Sequence, residues 1–203
     1  MILTIANAKG GVAKSTSSVY LAETIRHRGG VVTVFDADQQ STSSLWADAA
    51  RDAGDPLDFE VRPANLSTLS RLGRSADNVG WSIVDAPPQG KLLQASLDAA
   101  DFVLVPTSDS PLDLQQAWAM LDETRPHTSA AVLVVRAEPR TTAFRETMDA
   151  LRQTDTPRFE TVIPKRQQIK KALGTKPKDL FEYRDLLNEL ESLSREFDDR
   201  EVR

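Results

Sequence analysis

The chain has 203 residues, of which 40% are hydrophobic and 27% charged, with a net charge of −5. That length and apolar share suit one globular domain over residues 1–203, too polar for a membrane protein and without an apolar run approaching a membrane span. With no cysteine, disulfides, thiolate zinc sites and iron–sulfur clusters are excluded, and two widely separated histidines, His27 and His127, argue against a histidine metal site.

The first residues already read as a strand rather than a signal peptide, so a cytoplasmic protein is expected. Short apolar runs then recur along the chain: ILTIA (2–6), VVTVF (31–35), WSIV (81–84), FVLVP (102–106), AVLVV (131–135) and TVI (161–163). They are nearly continuous in Val, Ile, Leu and Phe, as strands covered on both faces should be. FEV (59–61) is a weaker strand. Helical patterns occupy 14–28, 41–53, 65–74, 91–99, 112–125 and 143–154. This alternation predicts an α/β fold, a parallel twisted sheet with helices on both faces and right-handed crossovers. After residue 164 two helical patterns follow, near 166–173 and 178–198, separated by Gly174 and Pro177. No repeat or low-complexity linker marks a domain boundary.

The chemistry starts at ANAKGGVAKSTSS (6–18), between the first strand and the first helix. It fails the usual phosphate-loop pattern G-x-x-x-x-G-K-[ST], because Ala8 and Ala13 stand where glycines belong. Gly10 and Gly11 still let the backbone curl and aim successive N–H groups at an anion, and the helix N-terminus adds its positive end. Lys14 is placed to reach β- and γ-phosphates, the Ser15 hydroxyl to ligate Mg²⁺, and Thr16 to bond the α-phosphate. A plain Gly-rich turn before a Ser/Thr-rich helix explains the glycines but not K-S-T at this offset. KGGVAKST resembles the deviant Walker A pattern K-G-G-x-x-K-[ST]-[ST] of the ParA/MinD ATPases. That pattern leaves the place of Ala13 open and demands an extra lysine, here Lys9. The resemblance implies a P-loop NTPase with ATP and Mg²⁺ held by Lys9, Gly10, Gly11, Val12, Ala13, Lys14, Ser15 and Thr16. It also implies that Lys9 contacts the nucleotide of a partner subunit in an ATP-bound homodimer.

The second strand ends VFDADQQ, with Asp36 and Asp38 at the carboxyl end where ligands bind in open α/β sheets. The segment is similar to the family's D-x-D-P-Q, with Gln39 in place of proline. By that likeness Asp38 positions the attacking water and Asp36 supports the Mg²⁺ shell or the same water. A helix N-cap role accounts for one of the two aspartates. WSIVDAPPQG (81–90) has the form of a Walker B strand, in which Asp85 holds Mg²⁺ through a water. The resemblance extends to Ser110, Pro111, Leu112 and Asp113, where Asp113 is expected to cap the next helix, the alternative being a contact with the dimer partner. Near 135 many relatives carry an adenine-contacting asparagine followed by arginine; Val135 replaces the asparagine and Arg136 remains, an expected cofactor contact.

Residues 164–178, PKRQQIKKALGTKPK, carry Lys165, Arg166, Lys170, Lys171, Lys176 and Lys178 without one acid. In an acidic chain this reversal of sign suits phosphate-backbone binding without sequence readout, although charge runs are also common as solvated faces. The last helical pattern has an apolar stripe at Leu180, Tyr183, Leu187, Leu190 and Phe197. Its polar face is mainly acidic, unlike a membrane anchor, and it is expected to pack on the domain, with a dimer contact as the alternative. The resemblance is closest to short ParA proteins that lack an N-terminal DNA-binding extension. It implies a slow ATPase for plasmid or chromosome partition, nucleoid-associated when ATP-bound, binding DNA non-specifically and stimulated by a centromere-binding ParB-type adaptor. The alternative is a positioning ATPase of the same superfamily that acts on a protein cargo.

Overall fold

The computed structural model describes residues 1–74 and 80–201, with side chains as far as residue 193. Among them, β1 (Ile2–Ile5), β2 (Val32–Asp36), β3 (Glu60–Pro63), β4 (Trp81–Asp85), β5 (Phe102–Thr107), β6 (Ser129–Ala137) and β7 (Arg158–Pro164) form one sheet in the order β3-β2-β4-β1-β5-β6-β7. Every neighbouring pair is parallel, as the apolar runs predict. The helices are α1 (Lys14–His27), α2 (Thr42–Asp52), α3 (Leu66–Leu72), α4 (Lys91–Asp98), α5 (Pro111–Thr124), α6 (Thr142–Gln153), α7 (Gln167–Lys171) and α8 (Tyr183–Glu201).

Alternation along the strands divides the core between the two faces. Ile5, Ile83 and Leu104 pack with Val19 and Tyr20 of α1, Trp46 of α2, and Tyr183, Leu186, Leu187 and Leu190 of α8. Val103, Val105, Val132 and Val134 pack on the other face with α4, α5 and α6 through Leu93, Leu97, Leu114, Met120 and Leu151. A third cluster joins Phe35 and Val84 to Leu69 and Leu72 of α3. The weak strand signal at 59–61 belongs to an edge strand, β3, whose side chains are largely outside the core.

The C-terminal helix packs on the domain but begins later than its stripe suggests. Leu180 is buried in the approach to the helix rather than on it, and the expected position Phe197 lies outside the residues whose side chains are described. The delay has local causes. Trp46 Nε1 donates to the Thr175 carbonyl at 2.7 Å, Lys176 pairs with Asp58 at 2.6 Å, and Phe181 takes a left-handed φ of 46°. These contacts hold the chain in a loop through Glu182. Tyr183 then stacks on Tyr20 at 4.9 Å, and Tyr20 meets Trp46 edge-on at 6.4 Å. Each such ring pair adds roughly 0.5–1.5 kcal/mol beyond burial, so the three rings tie α8, α1 and α2 together.

Register decides what meets at the carboxyl edge. Ile5 of β1 pairs with Asp85 of β4, and Asp85 pairs with Asp36 of β2. The loop after β1 and both aspartates therefore stand side by side, next to the reversal of strand order where open α/β sheets bind ligands.

Candidate nucleotide site

A cleft of about 930 Å³ opens at this edge. Gly10, Gly11, Ala13, Lys14, Ser15 and Thr16 line its floor, with Asp38 and Gln39 on one side and Pro87 to Leu92 on another. Val135, Arg136, the stretch from Ile163 to Gln167, Ile169 and Lys170 also line it. Val12 is buried and, like Lys9, is not part of the lining.

The loop is organised by a residue the motif reading passes over. Asn7 is fully buried; its Nδ2 donates to the Pro106 carbonyl at 2.8 Å and its Oδ1 accepts from the Lys9 N–H at 2.9 Å. A polar residue at the end of an apolar strand is the signal that could have found it. Ala13 sits at φ 62°, left-handed backbone, at the place where the usual motif has glycine. The Lys14 ammonium is buried and donates to the Asn7 carbonyl at 3.3 Å and the Lys9 carbonyl at 3.1 Å. Burial lowers its pKa, opposed by the nearby carboxylates of Asp85 and Asp38. A buried cation whose hydrogen bonds, among the described residues, go to two carbonyls is suited to phosphate oxygens. Arg136, itself at φ 55°, donates from Nη1 to the Gly11 carbonyl at 2.8 Å and so clamps the loop from the far wall.

The three aspartates have separate surroundings. Asp38 lines the cleft, and its Oδ1 accepts from the Gln40 N–H at 3.0 Å. Asp36 is turned to α2: its Oδ2 accepts from the Ser44 N–H at 2.8 Å and the Ser44 hydroxyl at 2.7 Å. Its carboxylate thus braces the first turn of α2, the capping use open to one of the pair. Asp85 is fully buried and accepts from the Ser43 hydroxyl at 2.7 Å through Oδ2. Its Oδ1 has no hydrogen-bond partner among the described residues. Burial pushes the Asp85 carboxyl up to about 6, offset in part by the bonded Ser43 hydroxyl and by the Ser15 hydroxyl nearby, which is not within hydrogen-bonding geometry of Oδ1. An unsatisfied buried acceptor costs about 1–3 kcal/mol, a penalty that Mg²⁺ or its water would remove. The donor set of Ser15 hydroxyl and Asp85 carboxylate therefore fits a hard cation.

Two expectations change here. Asp113 does not cap α5: its carboxylate accepts from the Lys9 ammonium and from the Ser108 hydroxyl, the latter at 2.6 Å. The reason is proximity, since β1 and β5 are neighbours and their loops meet. The basic stretch is also largely committed. Lys165 pairs with Glu138 at 2.8 Å, Arg166 with Glu182, Lys176 with Asp58, and Lys178 with Asp55 at 3.5 Å. Acids distant in sequence supply the partners, so the run of 164–178 alone did not show them. Lys170 and Lys171 are exposed and carry no ion pair among the described residues.

Comparison with known proteins agrees with this geometry. The CobQ/CobB/MinD/ParA nucleotide binding domain matches residues 3–177. "Maintenance of carboxysome distribution protein A" of Gloeobacter kilaueensis is 36% identical over 174 residues, 80% of this chain and 76% of that protein. The protein of the same name from Halothiobacillus neapolitanus is 28% identical, covering 84% of this chain and 82% of its own length. "Protein ParA" of Rhizobium radiobacter is 29% identical over 122 residues, 55% of this chain and 50% of that protein. Among solved structures, the cell division ATPase MinD of Pyrococcus furiosus superposes with a TM-score of 0.74 at 18% identity, covering 95% of this chain and 98% of that one. A variant of McdA from Cyanothece in complex with ATP superposes at 0.72 with 17% identity, covering 93% and 95%. The chain belongs to the CobQ/CobB/MinD/ParA nucleotide-binding family, as a ParA/MinD-like ATPase.

Proposed function

We propose that the chain is an ATP-switched positioning ATPase that distributes a protein cargo. The observation that carries this reading is its 36% identity with a carboxysome distribution protein over most of both chains. In this reading Mg²⁺, held by Ser15 and Asp85, would neutralise charge on the nucleotide phosphates. Gly10, Gly11 and the start of α1 present N–H groups to the phosphates, and Lys14 exchanges its two carbonyl partners for phosphate oxygens. Asp38, which lines the cleft and forms no ion pair among the described residues, orients the attacking water. Lys9 leaves Asp113 and reaches the nucleotide of a partner subunit, so ATP favours the dimer. Slow hydrolysis then returns monomers, and the alternation moves cargo.

The cellular test compares cells lacking the chain with cells carrying Lys14→Ala. Clustered large protein assemblies, with plasmid and chromosome inheritance intact, support the reading. Loss of plasmids with normally spaced assemblies contradicts it.

A second reading, DNA partition with a ParB-type adaptor, is favoured by the ParA likeness and by the unpaired Lys170 and Lys171. It requires ATP-dependent, sequence-independent DNA binding that falls steeply with salt and is lost in the double variant Lys170→Glu, Lys171→Glu. Each lost phosphate contact should lower the log–log salt slope by roughly 0.9.

A further inference from the structure

The first turn of α2 carries adjacent serines with different partners. Ser43 is fully buried and gives its hydroxyl to Asp85 Oδ2 at 2.7 Å. Ser44 binds Asp36 through both its N–H and its hydroxyl. Helix α2 directly follows the loop that bears Asp38, whose own oxygen accepts from Gln40 N–H. The same helix turn therefore touches the carboxylate under the phosphate loop and continues from the segment that lines the cleft. The partners of Asp85 are unequal: one oxygen is satisfied by Ser43 and the other has none among the described residues.

We infer that Ser43 is a positioning residue for the divalent cation: it holds Asp85 Oδ2, which fixes the rotation of the carboxylate and leaves Oδ1 for the cation or its water. The inference rests on the nucleotide-site reading above. A carboxylate with one oxygen anchored loses less freedom when the cation arrives, so cation affinity rises. The same bond fixes α2 against β4 where the Asp38 loop ends. Cation occupancy and the placement of that loop are thereby joined through one hydroxyl. Nothing in this role requires Ser43 to touch nucleotide, and it is buried away from the cleft lining.

The test uses the full chain and two single variants, Ser43→Ala and Ser44→Ala. ATP binding is measured by calorimetry in EDTA and across a Mg²⁺ titration, and Mn²⁺ binding to the ATP complex is followed by electron paramagnetic resonance. Outer partners of metal ligands typically matter by 10–100-fold in metal affinity. Ser43→Ala should therefore raise the half-saturating Mg²⁺ and Mn²⁺ concentrations at least about tenfold, while ATP affinity in EDTA stays near the parental value. Ser44→Ala keeps its backbone N–H on Asp36 and should leave the cation dependence near that of the parent. An unchanged cation dependence in Ser43→Ala overturns the inference while leaving the nucleotide site intact. An equal shift in both variants also overturns it, because loosening of α2 would then be the cause. A parent that binds no ATP overturns the nucleotide reading and this inference together.

Discussion

Lys9 and Asp113, 104 positions apart, form an ion pair that a second hydrogen bond, from Ser108, holds in place. Lys9 is thus occupied within its own chain, at the mouth of the phosphate loop. If it serves a partner subunit, it must first leave Asp113. Asp113→Asn removes the competing charge and should strengthen ATP-dependent self-association. Lys9→Ala should weaken self-association and leave monomer ATP affinity within about threefold, since Lys9 does not line the cleft. Sedimentation velocity with and without ATP checks both; equal association in all three chains would reduce Lys9 to a loop residue.

Lys14 offers a buried ammonium whose partners are two carbonyl oxygens. Hydrogen bonds to charged groups contribute about 1.5–3 kcal/mol each, so Lys14→Ala should lower ATP affinity by about 100-fold or more. Calorimetry decides it, and retained affinity would place the phosphates elsewhere.

Ala13 occupies left-handed backbone at φ 62°. An L-residue there bears roughly 1–2 kcal/mol of strain, against about 0.5–1 kcal/mol of extra chain entropy for glycine. Ala13→Gly should therefore stabilise the fold by about 0.5–1 kcal/mol and raise Tm by about 2 °C. A lower Tm would mean that the methyl group contributes packing that outweighs the strain.

Glu23 is buried on α1, and its Oε2 has no hydrogen-bond partner among the described residues. Burial raises its pKa, as does the facing Asp58 carboxylate, and Lys176 opposes them. An acid whose folded pKa is raised weakens the fold above that pKa, where both states are ionised. The cost fades as pH falls and is gone below the unfolded value, where both states are neutral. Glu23→Gln should raise Tm at pH 7, with the gain shrinking toward pH 4. A gain that grows on acidification would reverse the sign of this account.

Much of this architecture was legible because parallel strands buried on both faces must be apolar throughout, as in ILTIA and FVLVP. The edge strand β3 was faint because one side of it faces solvent. The loop after β1 stood out because Gly10, Gly11, Lys14 and Ser15 fall within a few positions of one another, and the structure sets all four along one cleft. Asn7, Ser43 and the Lys9–Asp113 pair were not, since each works through a residue brought near only by strand order. The same holds for the basic stretch, where Asp55, Asp58, Glu138 and Glu182 neutralise charges that look free in sequence.

ATP control of dimerisation is tested most directly by the solution mass of the full chain carrying Asp38→Ala. Asp38 is assigned to water orientation, a contribution made in the transition state, so the variant should bind ATP without turning it over. Light scattering coupled to size exclusion should give the mass of a dimer with Mg²⁺ and ATP and of a monomer with Mg²⁺ and ADP. A monomer with both nucleotides, or a dimer indifferent to which is bound, would contradict the account.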